Sequence, residues 1–152
     1  MAPAAESSAP RALPTLPEDW RDWPLLKGRW SYEWVYDGAQ RNDRGDSYAN
    51  FTDEDGVKST FISCQPDEKR IVFSVGASER PDNFSIRTTF NNTVLNSSYT
   101  QQTASVERPA ASVIWDEIIY SRGSFAVRLG QGRGVRLPTA PEIARVVEDC
   151  RS

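Results

Sequence analysis

The sequence predicts a mainly β domain, an antiparallel β-sandwich or barrel with a short helix and a C-terminal helix. Three observations carry this. Arg29–Tyr36 alternates strictly between aromatic and smaller side chains. Further short strand-like runs follow at close spacing, cut by turn residues. The last dozen residues place apolar side chains at helical spacing. Period two argues a half-buried strand and period 3.6 an amphipathic helix.

Residues 1–18, MAPAAESSAPRALPTLPE, are rich in Ala, Pro and Ser and have no apolar period. They are expected to form a disordered tether, with 19–152 a single β-rich domain. Such a tether often follows a removed signal peptide or a lipid-anchored cysteine. The chain is therefore expected to be a mature form with Met1 added.

In Arg29–Tyr36, Trp30, Tyr32, Trp34 and Tyr36 share one face, and Ser31, Glu33 and Val35 the other. Asp37-Gly38 is a turn signal. Strands are then expected over Ser47–Thr52, Val57–Cys64, Arg70–Val75, Phe84–Phe90 and Thr93–Tyr99. Asp53–Gly56, Gln65–Asp67 and Arg80–Asp82 separate most of them, and Asn91-Asn92 suits a tight hairpin turn because asparagine tolerates positive φ.

In the last third, Ser112 is expected to cap a short helix over Val113–Ser121, with Gly123 ending it in the left-handed conformation. Ser124–Leu129 is a further strand, Gly130–Gly134 a turn and Val135–Leu137 a short edge strand. Glu142 stands three residues after Thr139, the capping-box spacing. Ile143, Val146, Val147 and Cys150 then fall on one helical face.

Composition excludes several functions. The chain of 152 residues contains no histidine, which removes Ser-His-Asp and Cys-His triads and the usual zinc and iron sites. The net charge is -3, with acidic and basic residues interspersed. Duplex nucleic-acid binders normally show a basic face instead. No run approaches the ~18 apolar residues of a membrane span. The expectation is no cofactor, no metal, no nucleic acid and no membrane span.

The two cysteines, Cys64 and Cys150, admit a disulfide, two buried thiols or a redox pair, and no Cys-x-x-Cys is present. The disulfide is the expectation, because Cys64 ends a strand and Cys150 lies on the apolar face of the last helix.

Asp19-Trp20-Arg21-Asp22-Trp23-Pro24-Leu25, followed by Gly28, Trp30 and Tyr32, resembles the opening of an uncharacterised family of alphaproteobacterial exported proteins and lipoproteins. Tyr120-Ser121-Arg122-Gly123-Ser124-Phe125 resembles the Phe-Ser-Arg-Gly-Arg-Phe segment of that family, and Arg145–Arg151 its typical ending. Asn91–Tyr99 departs from the pattern. The resemblance implies export to the periplasm or beyond, where the N-terminal segment would serve as a membrane tether, and it carries no established activity to transfer.

Four Asn-x-Ser/Thr sequons, at Asn50, Asn83, Asn91 and Asn96, read as accidents of Asn/Ser/Thr-rich strands and loops. Asp53–Gly56 reads as a solvated turn rather than a calcium loop. Gly130–Gly134 lacks the Lys-Ser/Thr ending of a phosphate loop.

Trp30, Trp34, Tyr36 and Arg122 are the candidate ligand-binding residues. The aromatic row is an inward core face or an exposed platform for stacking on sugars. Each aromatic ring buries about 150–250 Å², which favours the inward reading. Arg122 suits a ligand carboxylate or phosphate, or a structural role at the helix end. The expected function is a non-enzymatic exported domain that binds an envelope protein, glycan or other ligand. The alternatives are an inhibitor of a secreted or periplasmic hydrolase and a carboxylate-based hydrolase. The last requires two carboxylates about 5–9 Å apart, and the adjacent Asp116 and Glu117 diverge on a helix.

Overall fold

A computed structural model describes residues 16–35, 45–132 and 134–152. The chain is mainly β, in two antiparallel sheets. The larger sheet has the order β1 (Gly28–Val35), β2 (Asp46–Asp53), β3 (Thr60–Gln65), β4 (Arg70–Gly76), β8 (Thr103–Pro109) and β7 (Ser98–Thr100). The smaller has the order β10 (Gly134–Pro138), β9 (Ser124–Leu129), β5 (Phe84–Arg87) and β6 (Asn92–Leu95). Two helices complete the fold, α1 (Val113–Tyr120) and α2 (Pro141–Arg151).

Register explains how the layers meet. One inward row of the large sheet runs Tyr32, Ala49, Ile62, Phe73 and Val106. Its neighbour begins Trp30, Phe51, Thr60 and Val75. The small sheet covers part of this face, with the Phe73 ring edge-on to Phe84 and Phe125 at 5.4 and 6.0 Å. Helix α2 covers the rest through Ile143, Val146, Val147 and Cys150, all buried as their spacing predicted. Cys64 and Cys150 form a disulfide with Cα atoms 5.5 Å apart. Closing so long a loop contributes about 4–5 kcal/mol in the chain-entropy model.

The back of the small sheet has its own cover. Trp20 and Trp23 pack with Leu16 on Ala126. The Trp23 indole fills the space where Gly134 would carry a Cβ, so only glycine fits there. Its N–H donates to the Pro17 carbonyl at 2.7 Å, and the Arg87 guanidinium lies 4.8 Å from its ring centroid. Contacts thus extend to Leu16 and Pro17, inside the segment expected to be a tether; residues 1–15 lie outside the described residues.

Several local expectations are corrected. Strand β3 begins at Thr60, not Val57. Strand β5 stops at Arg87, and the connection to β6 spans residues 88–91, led by Thr88, whose hydroxyl accepts from the N–H groups of Phe90 and Asn91. The Asn91-Asn92 turn is therefore absent. The single strand expected over Thr93–Tyr99 is two strands, β6 and β7, in different sheets. Strand β8 was not anticipated. Its hairpin with β7 turns through Gln101 and Gln102, at φ 52° and 60°, without the glycine or asparagine that marks such turns. Thr139 caps nothing: Ala140 occupies the N-cap, and the Thr139 N–H donates to the Gly123 carbonyl. Ser112 is the N-cap of α1 but makes no side-chain capping bond. Gly123 is left-handed at φ 76°, two residues beyond the Ser121 C-cap.

Candidate functional site

The aromatic row of β1 separates into different fates. Trp30 is 6% exposed, edge-on to Phe51, and its N–H donates to the Pro138 carbonyl at 2.7 Å. Tyr32 is half-buried. Trp34 is 51% exposed, and Tyr36 lies outside the described residues. The row was expected to point mainly inward, with the hydroxyls of Tyr32 and Tyr36 reaching polar partners or the rim; the Tyr32 hydroxyl does so, and the exposed Trp34 is the correction. The pleat puts Trp34 on the same side as Trp30, in a row with Ser47, Cys64 and Ile71. Helix α2 reaches Tyr32 through Arg145 and Asp149 and Cys64 through Cys150. The β1 end of the row stays open beside it.

That opening is a groove of about 500 Å³ lined by Tyr32, Trp34, Ser47, Cys64, Arg145 and Asp149, among others. The disulfide fixes the helix over it, so strand and helix residues hold a set spacing. The Tyr32 hydroxyl donates a 2.6 Å hydrogen bond to Asp149 Oδ2. The Arg145 guanidinium lies 3.8 Å from the Tyr32 ring centroid. Burial pushes the Tyr32 phenol above its ordinary pKa. The hydrogen bond and negative charge of Asp149 push the same way, and Arg145 opposes them. The phenol therefore stays a neutral donor at physiological pH.

Ser47 adds a further polar group. It is 3% exposed, and its Oγ makes no hydrogen bond of ordinary geometry, although it lies close enough to influence the Tyr32 phenol. A buried hydroxyl left unpaired costs about 1–3 kcal/mol of desolvation, so such groups call for an explanation. Among the described residues, the groove thus brings together the exposed Trp34 indole, the Arg145 guanidinium, the Asp149 carboxylate and the hydroxyls of Tyr32 and Ser47. An indole face stacks on flat apolar surfaces, and the polar groups bond hydroxyl or amide groups of a ligand.

Arg122, the remaining sequence candidate, is not part of this groove. It is exposed at the end of α1, and its backbone N–H, not its guanidinium, contacts Thr89 Oγ1 at 3.4 Å. Trp30 is a core residue. Of the candidates, Trp34 alone lines the groove among the described residues.

Tyr32 belonged to the aromatic row read from the sequence, whereas Ser47, Arg145 and Asp149 were not singled out there. The one available signal was the four-residue spacing of Arg145 and Asp149, which places both on one helical face. Asp116, next to Glu117 on α1, is engaged by Arg151 at 2.8 and 3.0 Å. A second, wider depression of about 800 Å³ lies between Val75–Asp82 and Val127–Gly132, floored by Val127 and Leu129 and rimmed by loop residues. Among the described residues, no group of three or more His, Cys, Asp or Glu side chains is placed to hold a metal. No described helix is long and apolar enough to cross a membrane.

No family model matches the chain, and no curated protein or solved structure matches it either.

Proposed function

We propose that this chain is an exported, non-enzymatic binding domain whose groove beside the Cys64–Cys150 disulfide takes a hydroxyl-rich ligand, a glycan of the cell envelope. The observation that carries this reading is the exposed Trp34 indole beside Arg145, Asp149 and Ser47. An indole stacks on the C–H face of a sugar ring, while a guanidinium and a carboxylate bond neighbouring hydroxyls. Among the described lining residues, Arg145 and Asp149 carry opposite charges, which suits an uncharged, hydroxyl-rich ligand. Export is supported by the disulfide, since such bonds persist in oxidising compartments. The sequence resemblance to exported proteins points the same way.

The test is a panel of envelope polysaccharides and their oligosaccharides presented to the oxidised protein. Binding is expected to saturate on at least one neutral glycan, and Arg145→Gln and Asp149→Asn are each expected to weaken it at least tenfold. A panel with no binding at millimolar ligand, or binding indifferent to both substitutions, contradicts the assignment.

A further inference from the structure

We propose that two copies of this chain join edge to edge through β1, antiparallel about a two-fold axis at Ser31. The four sheet edges are unequal. Strand β7 is three residues long and β6 four. Strand β10 is bridged by Leu25 through Arg136. Strand β1 runs eight residues at the end of the larger sheet, and no described strand pairs with its outer side.

An open edge presents backbone N–H and C=O groups to any strand that approaches, and proteins usually blunt it with proline, a bulge or an inward charge. Strand β1 has no proline, and its register with β2 is unbroken from Gly28 to Val35. Its charged residues, Arg29 and Glu33, lie on the face opposite the buried Trp30, so neither charge points inward.

The sequence of this edge complements itself. Pairing about Ser31 sets Arg29 opposite Glu33 of the second copy, and Glu33 opposite its Arg29. Both pairs fall on the outer face, where directly opposed unlike charges stabilise a ladder. On the inner face Trp30 meets Tyr32, an aromatic pair. Trp34 stands opposite Gly28, which leaves room for the indole. Moving the axis by one residue in either direction breaks both Arg29–Glu33 pairs. The resulting contact is isologous and closed, so it stops at two copies.

Size-exclusion chromatography with light scattering tests this on the oxidised chain. The wild type is expected to show twice the chain mass, falling towards the single-chain mass on dilution. Arg29→Glu and Glu33→Arg are each expected to give single chains. The double variant restores the dimer, because the pairs re-form with charges exchanged. Circular dichroism and denaturation midpoints matching wild type show that the variants are folded. Ser31→Cys gives a readout independent of charge: oxidation should link two chains through residue 31 on a non-reducing gel. Single chains at millimolar concentration in the wild type overturn the proposal. A double variant no better than the single ones also overturns it, as does a dimer that Ser31→Cys fails to link.

Discussion

Tyr32 on β1 and Asp149 on α2, separated by 117 residues in sequence, are joined by a 2.6 Å hydrogen bond from the phenol to the carboxylate. This contact ties the edge strand to the last turns of the helix and shapes one wall of the groove. Tyr32→Phe keeps the ring beneath Arg145 and removes only the donor. It is expected to lower stability by about 0.5–1.5 kcal/mol in urea unfolding. No change in midpoint would show that the bond holds nothing in place.

The disulfide fixes the same helix from below. Cys150→Ala with Cys64→Ala is expected to lower stability by about 2–5 kcal/mol. Hydrogen exchange should rise first in Val146–Arg151, because those residues lose their covalent anchor while Ile143 and the first turn stay packed. Uniform acceleration across both sheets would contradict that order.

The cap of α2 offers a gain. Ala140 at the N-cap has an extended backbone at φ −154° and ψ 151° and no side-chain oxygen to accept from the first turn. Ala140→Ser is expected to stabilise by about 0.5–1 kcal/mol, whereas Thr139→Ala should change stability by less than about 0.5 kcal/mol. Thermal unfolding of the two variants decides; a larger loss at Thr139 than gain at Ala140 would return the cap to Thr139.

The Arg151 side chain grips α1 at its start. It donates to the Ala110 carbonyl at 2.7 Å and to both oxygens of Asp116. The hydrogen bond from Arg151, with its positive charge, holds the Asp116 carboxyl below its ordinary pKa, outweighing burial, which acts the other way. A depressed folded-state value means that the contribution is complete above the unfolded value of about 3.9. It is lost as pH falls through the lower folded-state value. The pair is about one-third exposed, so its contribution is screened to about 0.5–1 kcal/mol. Urea midpoints for Asp116→Asn should converge with wild type towards pH 2 and lie below it at pH 6. Parallel curves would contradict the linkage.

Much of the fold was legible because alternation and helical spacing report burial directly. Ile143, Val146, Val147 and Cys150 sit on one face because they pack, and packing is what the period records. Strand β8 was hidden because its turn uses Gln101 and Gln102, whose positive φ is imposed by the hairpin rather than favoured by the side chains. Residues 93–99 resembled one strand because the break between sheets is marked only by Asn96-Ser97, a short turn signal inside an otherwise strand-like run. The groove was legible only through the aromatic row, as Tyr32 and Trp34. Its partners Ser47, Arg145 and Asp149 arrive from β2 and α2, and no local pattern announces such a meeting. Even Trp34 looked like core, since pleat alternation assigns a face but not what covers it.

Trp30 and Trp34 share a strand and a face, and they give the most direct measurement. Trp30→Ala is expected to lower stability by about 3–5 kcal/mol, as large-to-small changes in a core do. Trp34→Ala should lower it by less than about 1 kcal/mol, because half of the side chain already meets solvent. In the glycan panel the Trp34→Ala protein should lose binding while its unfolding midpoint stays near wild type. Retained binding by a folded Trp34→Ala protein would contradict the assignment of the groove.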